Sequence, residues 1–386
     1  MATMMPASSP VLEFIDDQGD AIVTDLAYDY YGRRLASVSA DGVIQIRDID
    51  NNGVWCVEVG CEIKLAHQGT LWKVDWAHPG FGKQLLATCS QDRTVKIWEE
   101  HSEAAPGHDR SGSGLSRGSP ARWISAATLK DSRYGVVDVK FAPRHLGLMI
   151  ASASEDGHVR VYRATDPSSV SSWKMAPSPF VPCPERQGVT CLSWCSSPFL
   201  KPLMVVGTMS GVVQIWLSDG TTEELGKWSK VLDLPGHGPR GVSSVHWSPQ
   251  FCTTFDRIAT CGADGRLQVH RLERRSLTEE AWDSIQTAQL KDEQGEAAGV
   301  ACSAVWDVNG SSLCSTDGVT CRTWISEGEG VNNSWFCTDI FQEVGVGGSI
   351  GGIAAASPAA AMDRHEESSG QSHRRLSPKS YKVEQG

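Results

Sequence analysis

Six segments of the chain alternate apolar residues with small or polar ones and end on an aromatic or its equivalent: VTDLAY, LWKVDW, VVDVKF, VTCLSW, VSSVHW and ACSAVW, closing at Tyr28, Trp76, Phe141, Trp194, Trp247 and Trp306. A period of two puts alternate side chains on opposite faces and predicts β-strands. Each is followed by a second strand rich in Ala, Ser, Thr and Cys (LASVSA, LLATCS, IASASE, MVVGTM, IATCGA, SLCST), then by a tight turn at Asp41-Gly42, Asp92-Arg93, Asp156-Gly157, Ser210-Gly211, Asp264-Gly265 and Asp317-Gly318. Asp-Gly is a strong hairpin signal because Gly adopts positive φ without steric cost. A third strand runs through VIQIRD, VKIW, VRVY, VQIW, LQVH and VTCRTW, and a fourth carries Trp55, Trp123, Trp173, Trp228, Trp282 or Trp335. The turns at 41, 92, 156, 210, 264 and 317 are spaced by 51, 64, 54, 54 and 53 residues. Six units of four antiparallel strands predict an all-β fold, a six-bladed β-propeller.

The long interval has a visible cause. Residues 101–121 are rich in Ser, Gly and Arg without a period and read as a flexible insertion between the third and fourth strands of unit two. The division expected is an N-terminal segment at 1–21, a propeller at 22–343 and a disordered tail at 344–386, whose Gly/Ala/Ser composition cannot bury a core. Val11 to Ile15, VLEFI, is a further short apolar stretch that can act as an extra strand.

Composition narrows the function. The chain has 386 residues, 35 Lys and Arg against 46 Asp and Glu, and a net charge of −11, which disfavours a broad grip on nucleic-acid phosphates. No apolar run is long enough to insert in a membrane as a helix, and the first ten residues lack the pattern of a secretory signal. The 12 Cys include no C-x-x-C, and neither Cys56 with Cys61 nor Cys191 with Cys195 has zinc-site spacing. Cys89, Cys191, Cys261, Cys302 and Cys314 lie within strand patterns and read as buried free thiols, which implies a reducing compartment. Asp48, Asp50, Asn52 and Gly53 begin like a calcium loop, but Val59 stands where the bidentate Glu is required. Gly114 to Gly118 spells G-x-S-x-G inside the insertion, without the strand and helix that the motif needs. Arg374, Arg375, Ser377 and Pro378 offer a phosphosite in a solvated tail. No catalytic, cofactor-binding or metal-binding set emerges, and no enzyme is expected.

The strand-three Trp98 and Trp216, the turn aspartates, and His67 and His237 upstream of strand one resemble the WD-repeat family. That resemblance implies a structural network of His, Ser or Thr, Asp and Trp, expected here at His67, Ser90, Asp92 and Trp98. Asp41, Asp156, His237, Asp264 and Asp317 belong to the corresponding sets of other units, while Ser210 replaces the Asp in unit four. Within the family, the stretches from Trp76 to Glu100 and from Thr128 to Tyr162 resemble the Seh-type nucleoporins of the Y-shaped nuclear pore scaffold, and the second stretch resembles much less their sister, the COPII vesicle-coat subunit. The resemblance implies a non-catalytic scaffold at the nuclear envelope and an open ring, completed by a blade from a larger helical nucleoporin. It implies the other subunits of the Y-shaped complex as partners, and a second home in the vacuolar or lysosomal complex that regulates the TOR kinase. Because each unit closes with its own Trp strand, the seam is expected near Val11, Phe14, Trp324 and Trp335; Val11 to Ile15 either pairs with the partner or latches unit six.

Overall fold

The computed structural model describes residues 22–342 apart from 50–52, 54, 102–121, 167–168, 178, 183–187, 199, 221–225, 250–254, 276–281, 291–302, 318–319 and 328–333. The N-terminal segment with Val11 and Phe14, nearly all of the insertion, and the tail lie outside the described residues. Twenty-four strands form six four-stranded antiparallel sheets, each in simple sequence order, with two single-turn 3-10 helices and no α-helix among the described residues. These are the six predicted units, the blades: one at 23–63, two at 71–129, three at 136–175, four at 189–234, five at 242–290 and six at 303–342. The protein is a six-bladed β-propeller.

The first strands, Val23–Tyr28, Leu71–Trp76, Val136–Phe141, Val189–Trp194, Val242–Trp247 and Ser303–Trp306, pack on one another in succession and form the inner strands of the blades. In blades one to five the register slips just after the first residue of this strand, as at Leu71/Lys73 and Val242/Ser244. Such a bulge places two residues opposite one and shifts the later side chains by one position. Residues one, four and six therefore share a face, where strict alternation would separate the first from the other two. Leu71, Val74 and Trp76 of blade two thus lie together on the second and third strands of blade one, in a core with Ala36, Val38, Ile44 and Ile46. The same contact repeats around the molecule: the forward face of each blade, set by its second and third strands, receives the backward face of the next blade's inner strand.

The second strands explain the small residues in the sequence. Leu85–Ser90, Met149–Ser154 and Leu203–Thr208 are buried at every position, so both faces are packed and bulky residues are limited by the space between blades. Gly207 shows the constraint: a Cβ there would lie 2.6 Å from the Cys191 sulfur and 2.8 Å from Val242.

Candidate functional site

The strands position three sets of residues: the turn networks, the links between blades, and the two faces at the ends of the series.

In blade two, Trp98 donates its indole N–H to Thr88 Oγ1 (2.9 Å), Thr88 Oγ1 meets His67 Nε2 (2.9 Å), and His67 Nδ1 meets Asp92 Oδ2 (2.9 Å). One proton arrangement satisfies every atom: neutral His67 donates from Nδ1 to the carboxylate and accepts at Nε2 from the threonine hydroxyl. Burial drives the His67 pKa down to about 4 despite the nearby Asp92 charge, which keeps the ring neutral. The expected set is corrected in one member. Ser90 instead accepts the Asp92 backbone N–H (3.1 Å), shaping the turn, while Thr88, two residues deeper on the same face, makes the link. Thr88→Val should leave two buried polar atoms unpaired and cost about 1–3 kcal/mol, whereas Thr88→Ser should restore most of the loss. Chemical denaturation of the three proteins checks this; equal stabilities would contradict the network.

The other blades neutralise the turn carboxylate differently. Blade five repeats the chain as Asp264, His237, Thr260 and then His270, which stands where blade two has Trp98 and continues to Thr287. The loop leading into blade three, residues 130–135, has no histidine; the buried Arg160 clasps Asp156 with two hydrogen bonds (2.7 and 3.1 Å). Arg322 holds Asp317 in blade six (2.9 Å), and in blade one the Ser39 hydroxyl donates to Asp41. In blade four Ser210 meets the Thr208 hydroxyl (2.9 Å). In blades two and five the histidine comes from the loop that leads into the blade, and the other groups lie on the blade itself.

The second set was not foreseen in the sequence. A polar side chain on each of the first five inner strands accepts a backbone N–H from the inner strand of the following blade. Asp25 accepts from Val74 (3.0 Å), Asp75 from Phe141 (2.7 Å), Asp138 from Leu192 (2.8 Å), Ser193 from Trp247 (3.0 Å), and His246 Nδ1 from Trp306 (2.9 Å). Lys73 pairs with Asp25 (3.0 Å), and Lys140 lies 3.8 Å from Asp75. Burial pushes Asp75 up to about 6 and raises Asp138, while the Asp25 charge raises Lys73. For Lys140 burial acts downward, but the charges of Asp75, Asp138 and Asp25 outweigh it and raise the pKa. The chain of links runs from blade one to blade six. In blade six the position matching Ser193 and His246 holds Val305, which has no acceptor and is 50% exposed.

The third set is the pair of end faces. In blade one, Val23 is 36% exposed and Leu26 and Tyr28 are only partly buried, whereas Leu71, Val74 and Trp76 are 0%, 0% and 8% exposed. Tyr28 packs on Trp55 (ring centroids 5.8 Å), as Trp76 packs on Trp123. Trp76, Trp194 and Trp306 each donate an indole N–H to a carbonyl of the preceding blade, but the buried Tyr28 hydroxyl has no hydrogen-bond partner among the described residues. In blade six, the forward face consists of Cys314, Thr316, Cys321 and Thr323, all partly buried, where blade two has the buried Ala87, Cys89, Val95 and Ile97. Among the described residues no packing like that between neighbouring inner strands joins Ser303–Trp306 to Val23–Tyr28.

Two expectations are corrected here. Trp324 and Trp335 are 3% and 2% exposed and pack on Ala259, Cys261, Leu267 and Val269 of blade five, so they face away from the seam. Cys314 is only partly buried, because nothing described covers its face; Cys89, Cys191 and Cys261 are buried, and Cys302 lies outside the described residues.

Comparison with known proteins agrees with this geometry. The family model described as "WD domain, G-beta repeat" matches residues 9–48, 60–99 and 228–271. The chain is 30% identical over 362 residues to Nucleoporin SEH1 of Xenopus tropicalis, covering 90% of this chain and 93% of that protein. It is 30% identical over 334 residues to Nucleoporin SEH1 of Homo sapiens, covering 83% and 85%, and 32% identical over 272 residues to Nucleoporin seh1 of Schizosaccharomyces pombe, covering 69% and 73%. Its WD-repeat blades and an alignment over most of its length with proteins of distant organisms show that the chain belongs to the nucleoporin SEH1 family.

Proposed function

We propose that this protein is a non-catalytic structural subunit of the nuclear pore complex at the nuclear envelope, an open propeller whose gap between blades six and one receives strands from a larger helical nucleoporin. The relatives named as nucleoporins support the location. The open seam rests on one observation above the others: the series of inter-blade hydrogen bonds ends at Val305, opposite the uncovered Val23, Leu26 and Tyr28. Exposed strand faces of this kind are suited to a strand-forming segment from another chain. Membership of the Y-shaped scaffold and of the TOR-regulating complex is part of the proposal, as is the division into a segment at 1–21, a propeller at 22–343 and a tail at 344–386. A COPII-type coat role is not favoured, since relatives named as nucleoporins align over most of the chain. Purification of the tagged full-length protein from its own cells is the test. Recovery of a large helical nucleoporin in stoichiometric amount is expected; recovery of vesicle-coat subunits without nucleoporins would overturn the reading.

A further inference from the structure

The forward face of blade six differs from the other five in chemistry as well as in cover. Its second and third strands place Cys314 and Cys321 diagonally across the ladder, where Cys314 is opposite Thr323 and Thr316 is opposite Cys321. The two sulfurs are 3.1 Å apart, and both residues are partly exposed. Six other described cysteines, Cys61, Cys89, Cys191, Cys195, Cys261 and Cys337, are buried, and Cys56 is exposed on a different blade. A disulfide needs its sulfurs at about 2.05 Å, so a closure of only about 1 Å separates this pair from a bond.

We propose that Cys314 and Cys321 are a redox-active pair, a dithiol that closes to a disulfide by exchange with a low-molecular-weight disulfide such as oxidised glutathione. The roles of the two sulfurs differ. The sulfurs share one hydrogen bond in which either S–H can donate; with the proton on Cys314 it lowers the Cys321 pKa, helped by the nearby Arg322 charge, and together with burial it raises that of Cys314. Cys321 is therefore the attacking thiolate, since the thiolate is the nucleophile. It bonds to one glutathione sulfur, the glutathione S–S bond breaks, and one glutathione thiolate leaves. Cys314 then loses its proton and attacks the Cys321 sulfur, expelling the second glutathione thiolate. Two protein thiols are oxidised by two electrons, one glutathione disulfide is reduced, and the two protons end on the two released glutathiones. Access to the pair follows from its partial exposure in the isolated protein, and a partner strand seated on the same face would cover it.

The test treats the full-length reduced protein with oxidised glutathione alone, alkylates the remaining free thiols and maps the peptides by mass. Cys314 and Cys321 fall in one tryptic peptide, because no Lys or Arg lies between them. That peptide should resist alkylation and weigh two hydrogens less than the dithiol form, and reduction should restore both alkylation sites. Cys314→Ser should retain glutathione on Cys321, while Cys321→Ser should be modified at Cys314 at least tenfold more slowly; circular dichroism establishes that both are folded. A wild-type peptide alkylated at both thiols, a lasting glutathione adduct on it, or a bond from either residue to a different cysteine would overturn the proposal.

Discussion

Asp138→Ala should be among the most destabilising single substitutions in this protein, costing roughly 3–5 kcal/mol. The carboxylate is 3% exposed, accepts the Leu192 N–H of the next blade at 2.8 Å, and lies in the field of Lys73 and Lys140. Removing it leaves a buried N–H without its acceptor and two ammonium groups with less compensation, and such orphaned groups carry the full cost of their desolvation. Asp138→Asn keeps an acceptor and loses only the charge, so an intermediate loss is expected. Val305→Ala at the end of the same series should change stability by less than about 0.5 kcal/mol, because its side chain is half exposed and links nothing. Urea denaturation of the isolated protein measures all three. A small loss for Asp138→Ala, comparable to that for Val305→Ala, would show that the inter-blade links do not hold the ring together.

The second large effect is acid instability that begins above the carboxylate range. Burial holds His67 and His246 down to about 4 and His270 to about 3, and it lowers His237 as well. An unfolded chain protonates its histidines near 6.5, so as the pH falls from there toward 4 the unfolded state takes up protons that the folded state refuses. The contribution of these rings is present above about 6.5 and is lost progressively below it. At about 1.4 kcal/mol per unit, a fully buried ring such as His67 withdraws on the order of 3 kcal/mol by pH 4. Asp75 and Asp138 act in the opposite sense: burial raises both, Asp75 to about 6, which favours the fold as the pH falls, but they are two groups against four histidines. Asp92 and Asp264, whose pKa values their partners lower, add a second loss only below the usual carboxylate value of 3.8. Melting temperatures measured from pH 8 to 4.5 should therefore decline from about pH 6.5 downward. A flat profile to pH 5 would mean that the histidines are solvated.

The architecture was legible in the sequence because the blades repeat the same local signals: an alternating strand, a tight turn that is acidic at its first position in all but blade four, and a Trp on the outer strand. These depend on neighbours within a few residues, and the turn signal extends even to Arg93, which takes the positive φ of 71° that Gly supplies elsewhere. The choice of Thr88 over Ser90 was less accessible. Both occupy the same face of one strand, and only the depth of the His67 ring between blades separates them. Asp25, Asp75, Asp138, Ser193 and His246 were visible as polar residues inside inner strands, yet their acceptor role joins residues 49 to 66 apart, and period alone carries no such information. The placing of Trp324 and Trp335 at the seam failed for a related reason. Alternation assigns residues to two faces but does not say which face looks forward; the bulge in the inner strands and the register of blade six on blade five decide that.

Amide hydrogen exchange of Val23–Tyr28 reports on whether the seam between blades six and one is open. Its Val23, Leu26 and Tyr28 lack the cover that buries Leu71, Val74 and Trp76, so local opening should cost less free energy in blade one than in blades two to five. In the isolated protein, amides of Val23–Tyr28 should exchange at least tenfold faster than those of Leu71–Trp76, and binding of the copurified helical nucleoporin should slow them toward the same rate. Protection in the isolated protein equal to that of Leu71–Trp76, unchanged by the partner, would contradict an open ring.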